Sequence, residues 1–131
     1  MAAITRTGVS SPARGDLVAS DTLSGLAGEP IAAGQGFQVT GELRGHPQMM
    51  KATTRVDGVC AADAATGESL TGLLVGQRIR IGKSGQNAGQ LKPGTIYYLD
   101  AANPGEWSDT ANPGTGLKVL ALTGGRVLIL S

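Results

Sequence analysis

The chain has little of what sites are commonly built from. Cys60 is the single cysteine in 131 residues, so no internal disulfide can form and no cysteine-based zinc site can be assembled. Following Val59, it reads as a small buried apolar residue. His46 is the only histidine, and one imidazole beside Pro47 supplies neither a set of metal ligands nor a serine–histidine–aspartate order. No cofactor is expected. An excess of charge is missing too: eleven basic and ten acidic residues leave a formal +1, too weak a field to draw the chain onto nucleic acid or an anionic membrane. No apolar run approaches the roughly 20 residues of a spanning helix, and Met1 to Gly15 lacks the apolar centre of a signal peptide. These absences predict a soluble chain made in the cytoplasm. Aromatic residues are only 3% of the sequence, so a core must be filled by Val, Leu, Ile and Ala, which suits a thin sandwich or a small barrel.

What is abundant is punctuation. Twenty-one glycines and six prolines break the chain too often for amphipathic helices, because glycine costs a helix interior about 1 kcal/mol relative to alanine and proline about 3. Short strands joined by turns accept the same composition. The expected fold is therefore all-β, a small antiparallel β-sandwich or barrel. Residues 1–28 show no sustained period and read as an extended N-terminal arm, either a disordered tail or a segment that orders on a neighbouring subunit, and residues 29–131 read as the β domain. Within the arm, Ile4, Leu17, Val18, Leu23 and Leu26 are too few to fold alone, yet enough to anchor an extended segment on a partner.

Alternation begins at Phe37-Gln38-Val39. An Asp57-Gly58 pair between Lys51–Val56 and Val59–Ala62 is the signal for a two-residue hairpin. Ala61 to Leu70 has some helical propensity but is interrupted by Thr66-Gly67, which predicts a loop or a single turn. Gln77-Arg78-Ile79-Arg80-Ile81 alternates cleanly, with Arg78 and Arg80 on a solvated face or in contact with an anion or subunit. Lys83 to Gln90 is a polar surface loop, and Lys92-Pro93-Gly94 a type II turn launching Thr95–Leu99. Asn103-Pro104-Gly105 and Asn112-Pro113-Gly114 are further turns, with Trp107 between them covering one end of the domain. The closing hairpin, Leu117–Leu122 and Val127–Leu130 about Gly124-Gly125, is apolar on both faces and belongs in the middle of the domain.

No catalytic constellation is legible. The carboxylates are scattered, mostly at turns, and Gly34-Gln35-Gly36 and Gly82-Lys83-Ser84-Gly85 lack the spacing of a phosphate loop. Trp107 with Tyr97 and Tyr98 offers a second reading, a carbohydrate-stacking platform.

Three stretches carry a resemblance: Gly28-Glu29-Pro30-Ile31-Ala32-Ala33-Gly34-Gln35; the Asp57-Gly58 turn with Ala61-Ala62-Asp63-Ala64-Ala65; and Leu91-Lys92-Pro93-Gly94-Thr95-Ile96-Tyr97-Tyr98-Leu99 with Asn103 to Asp109 and the closing hairpin. In that order they resemble small β-rich bacteriophage virion proteins of the capsid decoration and cement type, over about the last hundred residues. The resemblance implies a non-enzymatic structural protein on the outer capsid surface, with the major capsid protein as partner and a binding surface of whole strands and loops. A homo-oligomer is expected, most simply a trimer at a threefold position, because multivalent contacts add up on a symmetric shell. The nearest alternative is a tail, baseplate or fibre component of the same particle; a glycan-binding module is more distant.

Overall fold

The computed structural model describes residues 22–81 and 91–131. It is all-β, with ten strands and a single 3₁₀ turn, Thr123–Gly125, among the described residues. Five strands close into a barrel in the order β1-β3-β2-β4-β5: β1 (Thr22–Ala27), β2 (Gly36–Leu43), β3 (His46–Lys51), β4 (Gly58–Cys60) and β5 (Ser69–Leu73). The other five form a second sheet in the order β6-β10-β9-β7-β8: β6 (Arg78–Arg80), β7 (Ile96–Leu99), β8 (Trp107–Ser108), β9 (Lys118–Ala121) and β10 (Arg126–Leu130). Strand pairing is antiparallel except between β1 and β3.

Part of the segment read as an extended arm is a strand, and residues 1–21 lie outside the described residues. Thr22–Ala27 is a barrel stave, antiparallel to β5 over five positions and parallel to β3 at two. Its inward side gives a faint signal because it is built from small residues. Leu23 packs on the barrel core, whereas a Cβ at Gly25 would lie 2.5 Å from the Pro47 carbonyl oxygen and 2.8 Å from the Met49 methyl group. A larger side chain there would push β1 off β3.

The Asp57-Gly58 hairpin is also corrected. Lys51–Val56 does not pair with Val59–Ala62; β4 instead pairs with β2 and β5. Asp57 acts through its side chain, which accepts the Val39 N–H at 2.8 Å and pairs with Arg55 at 3.1 Å. The preceding residues cross to the second sheet, where Val56 N–H reaches the Thr115 carbonyl and Leu117 N–H reaches the Val56 carbonyl. Long-range bonding of this kind leaves no trace in local spacing.

Other readings are borne out. Lys92-Pro93-Gly94-Thr95 and Asn103-Pro104-Gly105-Glu106 are turns with glycine at φ 87° and 76°, each closed by an i to i+3 backbone bond of 3.1 Å. Ala61 to Glu68 is loop with a single turn, before β5 begins at Ser69. The closing hairpin forms, with β9 paired to β10 inside the second sheet, although only one of its faces is buried.

Two apolar cores share a wall. Phe37, Met49, Cys60, Leu70, Ile31, Ala27 and Ala64 fill the barrel, while Trp107, Leu99, Val119, Ile129, Val127 and their neighbours lie under the second sheet. Because side chains alternate, consecutive residues of β2 and β4 serve opposite cores. Phe37 and Cys60 point into the barrel; Val59 joins the second core, and Gly36 meets the Trp107 ring.

Inside the barrel, the Phe37 ring lies against Gly58 and Gly72, and a Cβ at Gly72 would collide with it. Gly72→Ala is expected to lower stability by about 1–3 kcal/mol, the cost of overpacking a filled core, and adding Phe37→Leu, which shortens the intruding side chain, should recover part of the loss. Denaturant midpoints of the two variants check this; a Gly72→Ala chain as stable as the parent would contradict the packing.

Candidate interaction surface

The closing hairpin was expected to be buried on both faces, and only one is. Val119, Ala121, Val127 and Ile129 point into the core, while Leu120, Leu128 and Leu130 belong to neither core cluster and are half-buried. They lie on the outer side of the second sheet. The register aligns Arg78, Leu128, Leu120 and Ile96 in one row across β6, β10, β9 and β7. In the flanking rows Arg80 stands opposite Arg126, and Leu130 opposite Lys118. Tyr98 extends the face toward Ser108 of β8. The result is an apolar stripe whose strand-borne charges, Arg78, Arg80, Lys118 and Arg126, are all cationic. Among the described residues none of the four forms an ion pair.

Among the described residues, strand β6 is an edge of its sheet. Gln77 accepts from Ile129 N–H at 3.0 Å and Ile81 donates to Gly125, just ahead of β10, at 3.1 Å, so the residues flanking Arg78 and Arg80 bond toward β10 and the two arginines turn their backbone groups outward. Both side chains are exposed, as the alternation predicted.

A shallow groove of about 460 Å³ opens on the barrel, lined by Pro30, Ile31, Ala64 and Ala65 with Asp63, Glu68 and Lys51. Its floor is the Ile31–Ala64 bridge. Each nearby carboxylate is held by one donor: Asp63 by Ala33 N–H at 2.8 Å, Glu68 by Ala65 N–H at 2.6 Å, Glu29 by Lys51 N–H at 3.1 Å, and Glu106 by the Gln35 side-chain amide at 2.8 Å. The groove is thus acidic with an apolar floor.

The other residues singled out in the sequence fall elsewhere. Leu23 is a core-packing residue of β1, which corrects its assignment to partner contact; Leu26, also on β1, is half-buried outside the core cluster. Ile4, Leu17 and Val18 lie outside the described residues, as do Lys83 to Gln90 and the Gly82–Gly85 stretch. Gly34-Gln35-Gly36 leads into β2. His46 is exposed where β3 begins. Trp107 is 4% exposed and its indole N–H donates to the Gly34 carbonyl at 2.8 Å, so its ring is wedged between barrel and sheet and presents no stacking platform. No group of three or more His, Cys, Asp or Glu among the described residues could hold a metal ion. No described helix is long and apolar enough to cross a membrane.

Compared with protein-family models, curated proteins and solved structures, the chain shows no significant match.

Cys60 is buried in the barrel, and burial pushes its thiol above the ordinary range by disfavouring the thiolate. The folded chain at about pH 8 should therefore resist iodoacetamide, and should be alkylated once denatured. Mass spectrometry of the two samples reads the outcome; rapid labelling of the native chain would show that the barrel opens.

Proposed function

We propose that this chain is a structural protein of a bacteriophage particle, a decoration or cement protein bound to the outer surface of the major capsid protein shell. The observation that carries the reading is the outer face of the second sheet. Half-buried Leu120, Leu128, Leu130, Ile96 and Tyr98 form a broad apolar stripe with a cationic border, on a rigid scaffold. Such a face is suited to being covered by protein, since contiguous apolar surface rimmed by polar groups is the form that association sites take. The all-β fold agrees with the resemblance in the Pro-Gly, Tyr-Tyr-Leu and Asn-Pro-Gly segments. On a shell, many weak contacts of one protein add up through symmetry, so affinity per copy can be modest.

Particles lacking this protein should assemble heads that lose DNA or break at lower temperature or under milder osmotic shock than complete particles, and adding the purified chain should restore resistance. Infectivity, released DNA and electron micrographs give the readout. Robust heads accompanied by missing or non-adsorbing tails would overturn the cement reading in favour of a tail, baseplate or fibre role.

A further inference from the structure

Arg80 and Arg126 stand directly opposite each other on β6 and β10, with Arg78 and Lys118 on the same face. Like charges in direct cross-strand pairs are destabilising, and no carboxylate among the described residues neutralises them. Edge arginines by themselves deter unwanted strand pairing. That explanation does not reach Arg126, because β10 is an interior strand flanked by β6 and β9. With no carboxylate partner among the described residues, the arrangement suits an anionic surface.

A complementary surface exists on the same molecule. Over residues 22–75 carboxylates outnumber cations five to three, and over 76–81 and 91–131 the ratio is reversed. Two of the barrel's carboxylates, Asp63 and Glu68, are exposed at the groove, with Glu29 of the barrel and Glu106 of the second half beside its lining residues Lys51 and Gln35. Lys51 is the one cation in its lining. Its carboxylates are oriented by backbone and amide donors, so little side-chain freedom is lost when they meet a partner.

We infer that the cationic edge of the second sheet in one copy, formed by Arg78 and Arg80 of β6 with Arg126 beside them, seats on the acidic barrel groove of a second copy. The inference rests on the structural-protein reading and assigns only the cationic edge to a second copy, which leaves the apolar stripe around Leu120, Leu130, Ile96 and Tyr98 for the shell. Because the two patches are different, the contact is head to tail, and repetition closes a ring or grows a filament according to the rotation between copies. Ring closure would give the oligomer that sits on a symmetry axis of a shell. The contact also depends on ionic strength, since exposed charge pairs are screened within about 3 Å at 1 M salt.

Sedimentation velocity and light scattering on the full chain test this. The parent should self-associate at low salt and dissociate at high salt. Arg78→Glu with Arg80→Glu, and separately Asp63→Lys with Glu68→Lys, should each weaken self-association about tenfold or more, with unchanged circular dichroism. Mixing the two variants should restore association, because the reversed face of one then meets the reversed groove of the other. A parent that stays monomeric overturns the inference, as does association untouched by either double variant, or lost only on reversing the face. Binding of the parent and the face variant to depleted heads is measured in parallel. Attachment without self-association removes this inference and keeps the cement reading; self-association as described without attachment does the reverse.

Discussion

The structure depends on a short stretch of wall that is buried on both sides. Gly36 N–H bonds to Gly105, Gly105 N–H to Ala52, and Ala52 N–H back to Gly36, each at 2.9 Å, so three separate segments close a ring of backbone hydrogen bonds. Gly105 adopts φ 76°, and a Cβ there would stand 3.2 Å from the Gly36 carbonyl oxygen. Only glycine meets both demands without strain. Beside this ring the Trp107 indole bonds to Gly34 and covers Gly36, which joins the Asn103-Pro104-Gly105 turn of one half to the lead-in of β2 in the other. Barrel and sheet are therefore two cores with one wall, and neither could be cut away without exposing Val59, Val56 and Trp107.

The all-β class, the proline–glycine turns and the closing hairpin were legible in the sequence because each is a local signal: glycine at positive φ after proline, or alternation over four or five residues. Strand β1 was not, since its inward positions after Leu23 are Gly25 and Ala27 and small residues scarcely register as hydrophobic periodicity. The role of Asp57 was missed for a different reason. An Asp-Gly pair signals a tight hairpin only when the flanking strands pair with each other, and here Asp57 reaches 18 residues back to Val39. Trp107 was placed at an end of the domain, whereas its partner Gly34 is 73 residues away in sequence.

The candidate surface shows the same division. The alternation around Arg78 and Arg80 was visible, but the row that joins Arg78 to Leu128, Leu120 and Ile96 exists only through a register spanning four strands. The closing hairpin's apolar outer positions were read as burial within the domain. In the fold they are side chains with no place in either core, and that surplus of apolar surface is what makes the outer face a candidate for association.

The position of β1 has a mechanical consequence. The chain ahead of Thr22 is joined to a stave that lies between β3 and β5, and the segment at Leu130 to a strand that lies between β6 and β9. A pull along either strand axis loads a row of interstrand hydrogen bonds in shear, so that several must give way together; a strand at an open edge can be peeled off one bond at a time. Tension applied along either strand thus loads several interstrand bonds together instead of one at a time.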